Sequence, residues 1–285
     1  MSGKKNKILI LGCSGRLGGY LKKKLDSRKH KIIYHEGKTD YDLSDESTVF
    51  KYLKKKNPDT IINAVAISDV EYCENNPIES FKINTILPKN LSNWVNDNNR
   101  FLIHISTDHI YDGKFLKDEN NSLKLKNIYA LTKYYGEWYA SKCKSTILRT
   151  NFFGKTIDHS TASFSDWLCS KLDSKKKLLL YDNIFFNPVH ISTLGFIIEM
   201  IINNPKYGIF NVGSKNGISK YNFGRILNEL KGCKNKKIIA IKYKVSENLI
   251  NRPYDMRTNV SRFEKAYNLN LPQIKAEIKK VINDD

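Results

Sequence analysis

Apolar and polar positions alternate between two periods along the first half of the chain. KILIL (7–11), KIIYH (31–35), TIINAVA (60–66), FLIHIS (101–106) and STILRT (145–150) are short, nearly continuous apolar runs. That is the pattern of strands buried on both faces. Between them the spacing turns helical. Leu17, Tyr20, Leu21 and Leu25 give one face to a helix over 15–27. Ser44 precedes a helix running to about Lys56, with Asp45 and Glu46 in its first turn, where anions are favoured. Ile83, Leu87, Leu91 and Trp94 give a core face to a long helical region interrupted by Pro77, and residues 128–142 predict another helix. Strands alternating with helices predict an α/β fold with a doubly wound parallel sheet.

The pattern loosens after residue 150. Helices are predicted over 163–173, 191–203, 219–230 and 260–282, with short strands at LLLY (178–181), GIFNV (208–212) and KIIAIKY (237–243). This suggests a first domain over 1–152 and a smaller C-terminal α/β lobe over 153–285, interleaved with the sheet edge.

Composition narrows the class. Of 285 residues, 40% are hydrophobic and 11% aromatic, ample for a core. The 48 basic against 29 acidic residues give a net charge of +19. The lysines are spread along the whole chain, so they read as solvated surface or as a field for a small anion, not as a nucleic-acid site. The five cysteines show no CxxC spacing, which suggests neither a disulfide framework nor zinc. The basic start before KILIL mimics a signal peptide, but the apolar run breaks at a glycine turn and reads as a first strand. IIEMII near residue 200 is too short to span a bilayer. A soluble cytoplasmic protein without membrane or metal is expected. A homodimer is compatible with the sequence, which leaves the oligomeric state open.

The glycine turn is GCSGRLGG, between the first strand and the first helix. Gly12 permits a tight turn, Gly15 lets backbone approach a pyrophosphate, and Gly18 lets the helix pack close. The helix N-terminus offers N–H groups and a positive dipole end to the anion. The spacing is GxxGxxG. Strand, glycine turn and helix in that order predict dinucleotide binding.

The fourth strand ends in Ser106-Thr107-Asp108, at the carboxyl edge where such sheets place their chemistry. Downstream, Tyr129 and Lys133 stand four apart on a predicted helix and share a face. Two other YxxxK pairs, Tyr20 with Lys24 and Tyr52 with Lys56, lie on helices whose lysine-rich faces look solvated. A free phenol has a pKa of about 10, and moving it by about three units takes roughly 4 kcal/mol. A neighbouring ammonium supplies much of that. Thr107 would then hold a substrate oxygen while Tyr129 exchanges its proton and Lys133 holds the nicotinamide ribose.

These motifs together resemble the extended short-chain dehydrogenase/reductase superfamily, most nearly its dTDP-4-dehydrorhamnose reductase-like branch. The pieces that carry the resemblance are GCSGRLGG, Asp42-Leu43-Ser44-Asp45, INAVAISDVEYCENNP, FKIN, HISTDHIYDG, YALTK, LRTNFFG and RPYDMRTN, across most of the chain. The resemblance implies a Rossmann domain, an NAD(P)-dependent oxidoreductase, and reduction of the 4-keto group of a nucleotide-activated 6-deoxy sugar for surface polysaccharide. It implies cofactor contacts from Gly12, Ser14, Gly15, Arg16, Leu17 and Gly18, from Asp42 and Leu43 beside the adenine, from Ala64, Val65 and Ala66, and from Tyr129 and Lys133. The substrate set it implies is Ser68, Thr107, Asp108, Asn151, Asn187 and Arg252. Thr107, Tyr129 and Lys133 are the catalytic residues.

The C-terminal half departs from that branch. Its tryptophan after the fifth strand is replaced by Asn151-Phe152-Phe153, and its Gly-x-Pro-Thr segment by Phe186-Asn187-Pro188-Val189. The sugar and base are therefore open. NADP is favoured as cofactor, with NAD also accommodated: Glu36 stands where an acid binds an NAD ribose, while His35 and Lys38 favour a 2′-phosphate. Sugar dehydratases of the superfamily place a glutamate where His109 stands, so reduction is expected over elimination. An epimerase is the nearest enzymatic rival, and a non-catalytic regulatory subunit the rival from another class; the intact Thr107, Tyr129 and Lys133 argue against the latter. His35 and His104 read as satisfied or exposed, with substrate contact left open for His109. Trp94, Trp138 and Trp167 read as packing residues. No Ser–His–Asp arrangement stands out.

Overall fold

The computed structural model describes residues 5–35, 37, 41–114, 116–155, 163–173, 177–233, 237–246 and 250–284. In chain order the elements begin with β1 (Lys7–Leu11), α1 (Arg16–Lys24), β2 (Lys31–Tyr34), α2 (Glu46–Lys56) and β3 (Thr60–Asn63). Then come α3 (Val70–Asn75), α4 (Pro77–Phe81), a π-helical segment (Lys82–Ile86), α5 (Leu87–Asp97), β4 (Phe101–Ile105), α6 (Ile128–Ala140) and β5 (Ser145–Thr150). The remainder is β6 (Phe152–Phe153), α7 (Phe164–Asp173), β7 (Leu178–Tyr181), β8 (Phe185–Phe186), β9 (Val189–His190), α8 (Ile191–Asn203), β10 (Gly208–Val212), β11 (Ile218–Ser219), α9 (Lys220–Leu230), β12 (Ile238–Ile241), α10 (Ser261–Tyr267) and α11 (Ile274–Lys280), ending in a short 3-10 turn.

The chain forms two compact units. The first comprises residues 1–107, 127–149 and 195–209, and the second 108–126, 150–194 and 210–285. The central sheet runs β2-β1-β3-β4-β5-β10. Its registers are parallel at β1/β2, β1/β3, β3/β4 and β4/β5, with Leu9 opposite Ile61 and Ile61 opposite Leu102. Leu9, Leu11, Ile61, Leu102 and Ile147 pack with Val49, Tyr52 and Leu53 of α2, Leu87, Leu91, Trp94 and Val95 of α5, and Ala140 of α6. The alternate residues Ile8, Ile10, Ile62 and Ile103 are also fully buried, as expected when helices cover both faces.

Tyr52 corrects an expectation. It is fully buried against the sheet, with Lys56 over its ring at 5.3 Å, so that YxxxK pair anchors a core and is not a solvated face. Only Trp94 of the three tryptophans is buried; Trp138 and Trp167 are 45% and 39% exposed.

The long helical region breaks into three helices and a π segment, for a covalent reason. Pro77 opens α4, and Pro88 sits in the first turn of α5. Proline has no N–H to return to the carbonyl four residues back, here Asn84. The ladder widens instead, and the Leu87 N–H reaches the Lys82 carbonyl five residues back. The predicted helix 260–282 likewise divides, because α10 ends at Asn268 in the left-handed region (φ 50°) and Pro272 follows.

In the second unit, a separate core joins Phe153, Leu168, Leu178, Leu180, Phe186, Phe223, Leu227 and Ile278. Paired strands β7/β12, β8/β11 and β6/β9 frame it.

Candidate active site

In the first unit, the glycine turn is built as its spacing requires. Gly12 has φ 87°, and a Cβ there would stand 2.9 Å from the Ala64 carbonyl carbon. A Cβ on Gly18 would meet the Gly12 carbonyl oxygen at 2.1 Å, so α1 packs on β1 only without one. Gly15 caps α1 with no side chain in the way, and Ser14 and Gly15 are exposed. The first turn of α1 directs its backbone N–H groups past this exposed glycine. This cradle fits a dinucleotide pyrophosphate.

The segment after β3 is held from two sides. Asn63 accepts the Val65 N–H at 3.2 Å, which draws the chain out of the strand three residues sooner than its apolar run suggests. Asn84, in the π segment, accepts the Ile67 N–H and donates to the Ile67 carbonyl, both at 3.0 Å. Ala64 and Val65 are half-buried, and Ala66 and Ser68 are exposed. Asp42 is half-buried and accepts the Ser44 N–H at 2.9 Å, and Leu43 is buried. His35 is not placed as expected for a 2′-phosphate ligand: its ring is 5% exposed, meets the Tyr41 carbonyl at 2.8 Å and packs edge-on against Tyr52. Glu36 and Lys38 lie outside the described residues.

α6 carries Tyr129, Lys133 and Glu137 on one face, each a turn apart. Asn127 caps it, accepting the Ala130 N–H at 2.8 Å. Tyr129 is half-buried. Lys133 is 2% exposed and donates to the carbonyl of Ile105, the last residue of β4, at 2.7 Å. Burial lowers its pKa to about 8, with the Glu137 carboxylate opposing that shift. Thr107, two residues past that carbonyl, is buried. The structure thus brings Tyr129 and Lys133 onto one helix face and ties that helix to the strand end that leads to Thr107. His104, fully buried, faces Asn63 through Nδ1 at 3.2 Å, and burial first, then Lys133, holds it neutral.

The second unit carries the remaining candidates. Asn151 donates to both carboxylate oxygens of buried Asp108, at 3.3 and 3.1 Å. Burial, then the Lys220 and Arg252 charges, lowers the pKa of His109 to about 3. His109 is therefore neutral at physiological pH and lies in a positive field. Asn187 is committed elsewhere. Its amide nitrogen donates to the carbonyls of Ser214 and Thr258, at 3.0 and 2.9 Å, and its oxygen accepts the Thr258 N–H at 3.0 Å. We assign it to holding those segments together rather than to a substrate. A Ser–His–Asp chain does exist: His190 meets Asp284 at 2.9 Å and Ser192 at 2.8 Å. Ninety-four residues separate His190 from Asp284, so no local spacing announces it. It ties the end of the chain to the start of α8.

A family model described as the RmlD substrate binding domain matches residues 6–285. The chain belongs to the RmlD substrate binding domain family. Within it, the chain is 23% identical over 295 residues to the dTDP-4-dehydrorhamnose reductase of Escherichia coli K12, covering 97% of each. It is 25% identical over 239 residues to a probable low-salt glycan biosynthesis reductase, Agl14, of Haloferax volcanii, covering 78% of this chain and 79% of that one. A dTDP-4-dehydrorhamnose reductase of Bacillus anthracis, solved in complex with NADP, superposes with a TM-score of 0.91 over all of both chains at 20% identity, which establishes the shared fold.

In this RmlD-family chain three residues escaped the sequence reading. Asn84 lies in FKIN, but its bonds to Ile67 and to Thr132 (3.1 Å) depend on the π segment. Lys220 reads as one more lysine of a lysine-rich chain. Glu137 follows Lys133 at helical spacing, a signal present in the sequence, but its partner Arg149 is visible only in three dimensions.

Proposed function

We propose that this chain reduces the 4-keto group of a nucleotide-activated 6-deoxy sugar, with NADPH favoured and NADH accommodated, to supply a sugar for polysaccharide assembly. The observation that carries the reading is the α6 face: half-buried Tyr129 one turn from buried Lys133, whose Nζ is bonded to the end of β4. The names of the relatives in E. coli and H. volcanii support the same reaction class.

A bound nicotinamide would supply the hydride. Thr107 would donate a hydrogen bond to the substrate carbonyl oxygen, and the Tyr129 phenol would deliver the proton to it. Lys133, as an ammonium, favours proton release from that phenol and would hold the ribose. The glycine turn, Asp42, Leu43 and the 64–66 segment would hold the rest of the cofactor. In the second unit, taken as the substrate lobe from residue 153 together with Asp108, the Lys220 and Arg252 charges suit a sugar diphosphate. Asp108 and Asn151 suit sugar hydroxyls, and Ser68 is a further candidate for a sugar contact. No helix among the described residues is long and apolar enough to cross a membrane; a cytoplasmic site of action belongs to this proposal. A homodimer belongs to the same proposal, and sedimentation tests it.

The test is Tyr129→Phe. Wild-type protein should consume NADPH in one-to-one proportion with a 4-keto-6-deoxy nucleotide sugar. The variant should lose about 10²–10⁴-fold in turnover while its NADPH affinity holds. Near-normal turnover by the variant would remove Tyr129 as the acid. Conversion of a nucleotide hexose with no net cofactor consumption would overturn the reaction itself.

A further inference from the structure

We infer that Glu137 is a positioning residue for the proton-transfer pair: its buried carboxylate neutralises Arg149 and thereby keeps the Lys133 ammonium charged beside Tyr129. The inference rests on the reductase reading of Tyr129 and Lys133.

The geometry is a buried cation–anion–cation row. Glu137 is 1% exposed. Arg149 of β5 donates through Nε to Oε1 and Oε2, at 3.1 and 3.0 Å, and through Nη2 to Oε1 at 2.5 Å. Ser106, the residue before Thr107, donates to Oε2 at 2.7 Å. Lys133 lies one helical turn back on the same face, where side chains four apart are neighbours. One carboxylate thus sits between two buried cations and also holds the strand end that carries Thr107.

Among the described residues packed around α6, Glu137 is the carboxylate that Arg149 and Ser106 both bond, while Glu79 of α4 accepts the Tyr72 hydroxyl at 2.6 Å. β4 presents His104, held neutral, and Ser106. β5 presents Arg149. The π segment presents Asn84 and Thr85, which bond Thr132 and do not ionise. α5 presents Pro88 to Gly136. From α3, Glu74 accepts the Ile128 N–H at the start of the helix, more than a turn from Lys133. Tyr129 is the remaining ionisable group on the face itself.

Opposite consequences follow for the two partners. Neutralising Glu137 removes the negative charge that favours the Lys133 ammonium while Arg149 stays cationic, which favours loss of the Lys133 proton. Removing the Arg149 charge leaves the carboxylate to Lys133 alone, which favours keeping it. A purely structural ion pair would give a loss of the same kind from either side.

The experiment measures NADPH affinity by cofactor fluorescence, and kcat with a 4-keto nucleotide sugar, across pH 6–10 for wild type, Glu137→Gln and Arg149→Met. The alkaline limb of NADPH affinity should move down by about one pH unit in Glu137→Gln, a tenfold weakening at fixed pH on that limb, and up in Arg149→Met. The alkaline limb of kcat should follow. Limbs that stay in place, or that move together, overturn the inference. Each variant tests it alone should the other fail to fold. NADPH affinity needs no sugar, so a wild type that binds cofactor but turns over no sugar refutes the reductase reading separately.

Discussion

Replacing Gly136 with alanine probes the contact on which the placement of α6 depends. Gly136 is the ninth residue of that helix, where alanine normally gains about 1 kcal/mol over glycine. Here the added Cβ would stand 2.0 Å from the Asn84 carbonyl oxygen and 3.1 Å from Pro88 Cγ. The first distance falls some 1.4 Å short of the 3.4 Å at which ordinary contact begins. The atom in the way is backbone, and it is the carbonyl that Pro88 leaves without its helical N–H. It cannot rotate aside as a side chain would. Overpacking of this kind costs about 1–3 kcal/mol, at the upper end where backbone must move. The net effect is a destabilisation of roughly 1–2 kcal/mol, or several degrees in melting temperature. Turnover should suffer more than stability. To relieve the clash α6 must back away by about an ångström, carrying Tyr129 and Lys133 with it, and a misplacement of that size costs on the order of 10² in rate. Thermal denaturation and NADPH-coupled turnover, measured side by side, check both parts. A Gly136→Ala protein that melts at or above the wild-type temperature with turnover within about twofold would show that the α6–π packing does not position the site.

Three further outcomes are expected. Lys133 carries a pKa of about 8 in the folded protein against an ordinary 10.5, so the folded state binds fewer protons than the unfolded chain between those values. Wild-type stability relative to Lys133→Met should therefore rise between pH 8 and 10.5, by roughly 3 kcal/mol, and stay level below pH 8; urea titrations at several pH values measure it. Arg252→Ala should raise KM for the nucleotide sugar about tenfold with NADPH affinity unchanged; an equal loss in both affinities would remove it from the substrate side. His109→Asn should leave the limbs of the pH–rate profile in place between about pH 5 and 9, because His109 is already neutral there; a displaced limb would show that its imidazole titrates in catalysis.

The local elements were legible because their signals are local. Apolar runs named β1 to β5, the glycines named the cradle, and helical spacing put Tyr129 and Lys133 on one face; each needs only neighbouring residues and backbone geometry. The errors arose where a distant partner decided. Tyr52 looked solvated among lysines, yet the sheet buries it. Trp138 and Trp167 looked like core residues, yet their helices turn them outward. Asn187 looked like a substrate ligand, yet segments 27 and 71 residues away use its amide. The sequence by itself determined the order of strands and helices and the chemistry on each, because periodicity and glycine sterics act over a few residues. Tertiary structure alone decided the Glu137–Arg149 pairing, the close approach of Gly136 to Asn84 and the neutral state of His109, because electrostatics and packing depend on distance in space and not along the chain.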